Sequence, residues 1–552
     1  MWFPLCNFTH YSLLRGYSKP TELAQKCESN GFKACGIADY HSISGSVKFF
    51  KACKAVGVKP IIGCSFDKFK LFAKNKDGWF DLIKIVSSIK DGDVDSFVLS
   101  EACKRGNLIS VADGEYFSPI SGDDYYVKSE LLRSSYYTNK EDADLHRVLL
   151  CTSLKTTLPK IASGAFKVPD DYSKFFEFSD YYVRSKEEYV ELLLLNDENN
   201  NPLEEIYNKC EDYNILSGPI LPSFPTPNGE SERDYLRQLC RDGWRKYIAG
   251  RGVADTPETK KIYGDRFNRE FETFAEADLF GYFLIVWDII KFCNDNGWIT
   301  GPGRGSAAGC LITYLLGITK IDPIEHGLIF ERFYNAGRNT EDHISLPDID
   351  MDVPASKRDE IIEYIKDTYG HHRVGQVITF GRLQGKSALK EVLRVHETCG
   401  FGEMTEITKS IPDESIISDQ LQQMDEEDRS IIRWALLHNK TELMNYCHIT
   451  DDGEFEGIYA PQFKQAIEIE GTYKSHGKHA AGVVISRDPL ADVCPMIVDA
   501  DGNTKAGLEM GDLGDLGQEK FDVLGLTHLD KIMRMKELVF ERHGVDVSEF
   551  LS

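Results

Sequence analysis

A chain of 552 residues is too long for one hydrophobic core and predicts about three or four domains. Its 42% hydrophobic and 28% charged residues are those of an ordinary globular protein, and no apolar run approaches the roughly 20 residues that cross a bilayer. A net charge of −24 argues against any role that needs a uniformly basic surface. The fourteen cysteines are scattered singly, with no Cys-x-x-Cys pair, which excludes a disulfide framework or a zinc knuckle and predicts a reducing cytosol. The first residues lack the basic-then-apolar layout of a secretory signal.

In chain order, residues 1 to about 215 alternate short apolar runs with helical segments. Gly36–Asp39 and Val58–Gly63 read as buried strands, with helices from Pro20 to Gly31 and from Ser46 to Gly57. That alternation predicts an α/β region. Leu216–Asn228 is rich in Pro, Ser and Gly and reads as a linker, and Glu232–Ile248 as a helix. Residues 257–297 are strongly helical, and Phe280–Ile290 is apolar nearly all round and must be core. Helical character returns around Ile361, Ile362 and Ile365, and Val374–Phe380 reads as a strand. Residues from about 380 to 472 are helical and polar, with an acidic patch at Asp425–Asp428, and read as an inserted subdomain. Ala480–Ile485 and Phe521–Leu526 return to strand character. There is no internal repeat, and low complexity is limited to Asn199–Asn201.

Two stretches carry chemistry. In Leu346-Pro347-Asp348-Ile349-Asp350-Met351-Asp352, three aspartates occupy every second position, so on a strand they project from one face while Ile349 and Met351 point into a core. A hard divalent cation accounts for such stacked carboxylates. The alternative is a solvated strand edge, or a turn following Pro347. Upstream, Gly301-Pro302-Gly303-Arg304-Gly305-Ser306 leads into an apolar, small-residue helix pattern from Ala307. Ser306 reads as its N-cap, the helix N-terminus as an anion site, and Arg304 as a donor fork for phosphate. A purely structural glycine turn is the alternative. No Gly-Lys-Ser/Thr closes the loop, so it is not a Walker motif. Together the two stretches point to metal-assisted phosphoryl or nucleotidyl transfer.

These blocks, with others in the same order, resemble the bacterial DNA polymerase III alpha subunit, a C-family replicative polymerase. The matching pieces are GYFLIVWDII at 281–290, GPGRGSAAG at 301–309, FERF at 330–333, LPDIDMD at 346–352, VGQVITFG at 374–381, HAAGVVIS at 479–486 and KFDVLGL at 520–526. The resemblance implies a multidomain α/β protein. A polymerase-and-histidinol-phosphatase (PHP)-like domain is expected at 1–215, a nucleotidyltransferase-like palm with a mixed sheet at 216–379 and 473–552, and an inserted helical thumb at 380–472. It implies that Asp348, Asp350 and Asp522 are catalytic and hold two Mg²⁺ ions, with Asp352 in support. One ion would lower the pKa of the primer 3′-hydroxyl, and the other would stabilise the leaving pyrophosphate. It also implies that Arg304, Gly305 and Ser306 cradle the incoming triphosphate and that Lys520 neutralises charge beside Asp522.

The chain departs from the family's pattern in two places. A metal-binding PHP domain opens with a His-x-His pair. Here the aligned positions are Cys6 and Phe8, followed by Asp39-Tyr40, Ser65 and Tyr136, so only Asp39 keeps a ligand type. His10 and His41 lie nearby in sequence and read as surface histidines. No metal, phosphoesterase or proofreading activity is expected in that domain. The family also continues into fingers, clamp-binding and oligonucleotide-binding modules beyond the part seen here. The expectation is one half of a split DNA-directed DNA polymerase. It would be active with a second polypeptide that carries the fingers and docks near Leu526–Ser552, and it would act on primer-template DNA and dNTP in a bacterial cytoplasm. Clamp and proofreading subunits are further expected partners, and no membrane is. Lys357, Arg358, Arg373, Arg382, Lys386, Lys390 and Arg394 gather after the carboxylate strand, but the acidic balance predicts weak DNA binding by this chain alone. The alternative function is a non-catalytic replisome scaffold. A phosphoesterase centred on the N-terminal domain is a third reading, disfavoured by the missing histidines.

Overall fold

A computed structural model of the chain describes residues 2–112, 124–126, 132–196, 202–253, 255–335, 347–498 and 504–547. Leu346, Asn199–Asn201 and residues 548–552, singled out above, lie outside them. The chain forms two compact units, one of residues 1–215 with 379–477 and one of 216–378 with 478–552. Among the described residues, no helix is long and apolar enough to cross a membrane. All fourteen cysteines are free thiols, and all but Cys399 are buried.

The first unit contains a five-stranded sheet in the order β1-β2-β3-β4-β5. Its strands are β1 (Ala34–Tyr40), β2 (Lys59–Ser65), β3 (Phe69–Ala73), β4 (Leu108–Ala112) and β5 (Asp124–Tyr126). β1 and β2 are parallel, with Ala34 opposite Lys59, and are linked through helix α2 (Ser46–Ala55); α1 (Pro20–Ser29) precedes β1. β1 and β2 are almost wholly buried, which is why their sequences are continuous apolar runs rather than alternations. The helical stretch from 386 to 469 belongs to the same unit. Leu389, Val392, Phe463 and Ala466 share one hydrophobic cluster with Val148 and Leu149. Polar bonds reinforce the join, among them Tyr17 Oη to the Glu468 carbonyl at 2.8 Å and Thr157 Oγ1 to Glu397 at 2.7 Å. The stretch is not purely helical, since His448–Ile449 and Phe455–Glu456 form a small antiparallel hairpin.

Asp39, near the end of β1, organises the first loop. Its carboxylate accepts the Thr9 backbone N–H at 2.6 Å, the Thr9 hydroxyl at 2.7 Å and the Ser12 hydroxyl at 2.6 Å. Burial pushes Asp39 up to about 6, even though the bonds from Ser12 and Thr9 favour its charged form.

The second unit contains most of a six-stranded mixed sheet built from β6 (Asp350–Pro354), β7 (Val374–Arg382), β8 (Tyr473–Ile485), β9 (Met496–Val498), β10 (Thr504–Ala506) and β11 (Lys520–Leu526). Its order is β9-β10-β7-β8-β11-β6. β11 pairs parallel with β6, setting Asp522 opposite Asp350, and antiparallel with β8, setting Gly482 opposite Asp522. Helices α3 (Pro257–Glu276) and α4 (Phe280–Asp295) supply its core. Phe283, Leu284, Val286 and Ile289 are buried in one cluster with Ile349, Met351 and Val353. The helix predicted over 232–248 is α-helical to Gly243 and then widens into a π-type turn over Trp244–Ile248.

The helix expected from Ala307 is not continuous. Gly305–Gly309 is a 3₁₀ turn, and α5 is only Leu311–Leu315, with no side-chain cap from Ser306. The expectation that Ser306 caps a helix whose N-terminus faces an anion is therefore overturned. Glu270, on α3 and fully buried, occupies that N-terminus instead. Its carboxylate accepts the Leu311 and Ile312 N–H groups, each at 3.0 Å. Arg266, one turn earlier, pairs with Glu270 and donates to the Gly309 carbonyl at 2.6 Å.

Two outcomes follow for stability. Glu270→Ala strands Arg266 and two buried N–H groups, and should cost about 3–5 kcal/mol, read as a lowered urea midpoint. Asp39 titrates at about 4 in an unfolded chain, so the folded state retains a proton that the unfolded state releases between pH 4 and 6. Stability should fall as pH rises through that window, and Asp39→Asn should flatten the urea midpoint against pH by an amount on the order of 2–3 kcal/mol.

Candidate active site

Pairing β6 to β11 gathers the acidic residues. Oxygens of Asp348, Asp350 and Asp522 lie within 4.8 Å of one another. Asp348 is exposed, Asp350 is half-buried and Asp522 is buried, while Ile349, Met351 and Val353 alternate into the core. Three carboxylates this close repel one another, and two cations relieve part of that repulsion. Lys520 Nζ lies 2.6 Å from Asp522 Oδ2 and 3.7 Å from Asp348. Arg304 lies 2.9 Å from Asp352 and 3.5 Å from Asp350. Asp522 Oδ1, by contrast, is buried and makes no hydrogen bond.

The titration behaviour follows from this packing. Burial raises Asp348; Lys520 opposes the shift, and the charges of Asp522 and Asp350 add to it. Burial works against the charge of Lys520, but its bond to Asp522 and the surrounding carboxylates outweigh that and raise it overall. Burial pushes Glu519 up to about 7, with Lys520 opposing and Asp348 contributing.

The glycine turn lies beside β6. The Gly301 N–H donates to the Asp352 carbonyl at 3.0 Å, and a Cβ at Gly301 would sit 2.6 Å from Asp352 Cβ. Gly303 has φ 94° and packs on Thr319, which a side chain would meet at 2.6 Å. Gly305 and Ser306 are exposed. Arg304, the expected donor fork for phosphate, is ion-paired with Asp352 and Asp350. Carboxylate and phosphate oxygens ask for the same donor geometry, and the carboxylates are the anions at hand.

Several of the basic residues gathered after the carboxylate strand are engaged locally. Lys357 pairs with Glu360, Arg358 donates to the Val523 carbonyl, Lys386 pairs with Asp413, and Arg394 pairs with Glu391. Glu270 and Glu519 were not anticipated. Nothing in the local sequence marks Glu270 as buried, whereas Glu519 sits directly before Lys520 and its position was available to inspection.

In the N-terminal unit the degenerate ligand positions hold aromatic packing. Phe8 stacks on Tyr136 at 4.6 Å and 6°, and Tyr40 carries the Arg15 guanidinium 3.8 Å above its ring. His10 was expected at the surface but is buried, stacked on Tyr473 at 4.2 Å, with burial lowering it to about 3. The neighbouring aromatic side chains make a wall that an imidazole fills better than water does. His41 is half-exposed and stacks on Tyr40.

Comparison with known families and proteins accords with these arrangements. Residues 7–192 match the PHP domain, and residues 234–525 match the bacterial DNA polymerase III alpha NTPase domain. The chain is 32% identical to the DNA polymerase III subunit alpha of Aquifex aeolicus, over 98% of this chain and 52% of the relative. It is 30% identical to that of Bacillus subtilis, over 97% and 49%, and 29% identical to that of Ureaplasma parvum, over 100% and 53%. The chain thus spans about half the length of the curated relatives it matches. With the matched polymerase domain covering more than half of its 552 residues and enclosing all three clustered aspartates, the chain belongs to the bacterial DNA polymerase III alpha family.

Proposed function

We propose that this chain carries the metal-binding part of a DNA-directed DNA polymerase active centre, which joins an incoming deoxynucleotide to a primer 3′ end. The observation that carries the reading is the unsatisfied, buried Asp522 Oδ1 within a cluster of three carboxylates. A buried carboxylate oxygen without a donor is costly, and a hard cation bound there would satisfy it. Asp348, Asp350 and Asp522 are the residues that would hold Mg²⁺. When bound, a pair of such ions supplies Lewis acidity toward the 3′-hydroxyl and neutralises charge on the leaving pyrophosphate.

The roles of the chain's own residues follow from their contacts. Lys520 keeps Asp522 oriented and its charge compensated. Arg304, half exposed, exchanges its carboxylate partners for triphosphate oxygens as nucleotide arrives. The exposed turn at Gly305 and Ser306 offers backbone and hydroxyl donors to the same phosphates.

The template and the closing surface over the nucleotide come, in this reading, from a fingers module. Helix α6 (Thr527–His543) presents Met535 and Phe540 to solvent, 64% and 59% exposed, with Val545 just beyond. These residues support a docking face there. Clamp and proofreading subunits join through that larger assembly, and the bacterial cytoplasm is its setting.

Primer extension with Mg²⁺, with and without candidate partner chains, tests the proposal. Template-dependent incorporation is expected with the partner, abolished by EDTA. Asp348→Ala and Asp350→Ala should each lower it by at least about 10²–10³-fold. Undiminished extension in the doubly substituted chain would remove the carboxylates from the chemistry, and no extension with any partner would leave the non-catalytic scaffold reading. In a separate thermal melt, Mg²⁺ should raise the wild-type Tm and leave that of Asp350→Ala unmoved. Equal shifts in both would argue against the metal site.

A further inference from the structure

The first unit contains a cavity of about 780 Å³ that the polymerase reading leaves unused. Phe8, Tyr40, Ser65 and Tyr136, four of the positions aligned with PHP metal ligands, line it. None of them is an imidazole or a carboxylate. Asp39, which does keep a ligand type, is committed to Thr9 and Ser12.

Cations border the cavity instead. Arg15, Lys68, Lys70, Arg133 and Lys174 line it, against two acids, Asp67 and Asp171. That excess of positive charge stands in a chain of net charge −24. Asp67 accepts the Tyr40 hydroxyl, and Arg133 forks onto Asp180 at 2.6 and 3.0 Å. The Arg15 guanidinium lies between two rings, 3.8 Å from the centroid of Tyr40 and 5.6 Å from that of Tyr172. A guanidinium stacked in this way presents its N–H edge, the geometry that suits phosphate oxygens.

Part of the wall is aromatic, with Arg133 over the Tyr181 ring at 4.2 Å and Lys174 over Phe175 at 5.2 Å. Phe8 stacks on Tyr136, Tyr136 meets Phe175 edge-on at 4.6 Å, and Phe175 meets Tyr181 at 4.8 Å. Such a wall takes a planar base by stacking.

We propose that this cavity binds a nucleoside phosphate without a metal, with Arg15 and Lys68 on the phosphate and the Phe8–Tyr136 wall against the base. The volume falls within the range of small-molecule sites of about 300–1,000 Å³, whereas inorganic phosphate would leave most of it empty. A mononucleotide carries few charges and tolerates the acidic remainder of the chain, which repels a long polyanion. The site binds and does not hydrolyse, because the carboxylates and imidazoles that hold hydrolytic metals are replaced.

The full chain, titrated calorimetrically in EDTA with dATP, adenosine and inorganic phosphate, tests this. Saturable binding of dATP is expected, with adenosine and phosphate each at least about tenfold weaker. Lys68→Ala, at an exposed position, should keep the wild-type melting temperature and weaken dATP about tenfold, and Arg15→Ala should do likewise, with Arg15→Lys restoring part of the affinity. Photo-crosslinked 8-azido-ATP should map to peptides containing Tyr136 or Tyr172. The proposal is overturned by no binding at millimolar dATP, by binding that requires added Mg²⁺, by unchanged affinity in both alanine variants, or by crosslinks confined to residues 301–306. Displacement of dATP by a single-stranded oligonucleotide at far lower concentration would replace the mononucleotide by a nucleic-acid strand and overturn it as well. None of these readouts depends on primer extension.

Discussion

Mutual repulsion among Asp348, Asp350 and Asp522 is the constraint around which the second unit is arranged. Holding three carboxylates within 4.8 Å costs energy that no contact among them returns. Two features meet the cost. The reverse faces of β6 and β11 bury Ile349, Met351, Val353, Phe521 and Val523 in the cluster formed by α4, so the strands are anchored by apolar area. Lys520 and Arg304 then place positive charge against the acids from two sides. The residual imbalance is visible in the orphaned Asp522 Oδ1. A cluster compensated in this incomplete way is poised for an added cation, which is the physical content of the functional proposal.

The glycine turn shows how the same unit separates structural from functional anion sites. Glu270 fills the N-terminus of α5 from within the protein, and Arg266 ties that carboxylate to the Gly309 carbonyl. The backbone beneath the turn is thereby satisfied internally. What remains open to solvent is the outer part, Arg304 to Ser306, next to the carboxylates. A phosphate meeting this outer part would find side chains and turn donors there, with no contribution from a helix dipole.

In the first unit, Phe8, Tyr136 and Phe175 pack as rings and Arg15 stacks on Tyr40. Cations around the cavity, in a strongly acidic chain, are then the remaining electrostatic feature of the site.

Local sequence determined the elements and the chemistry at stake. Period-two alternation in Pro347–Asp352 separates the acids from Ile349 and Met351 without reference to anything distant, because strand geometry alone sorts the two faces. The buried strands β1 and β2 and the core helix α4 were legible for the same reason, since their apolar content leaves no solvent-facing alternative. The extent of α5 and the absence of a Ser306 cap were not legible, because an apolar, small-residue run says nothing about a competing carboxylate. Arg266 and Glu270 have the four-residue spacing of an ordinary surface pair, and only the packing of α3 against α5 buries them. His10 was misplaced for a similar reason, since Tyr473 lies far along the chain. The tertiary structure alone decided that residue 522 pairs with residue 350, that the helical stretch after residue 379 shares a core with the first 215 residues, and which cations stand beside which acids. Those are long-range pairings, fixed by the summed burial of whole elements, and no short window of sequence contains them.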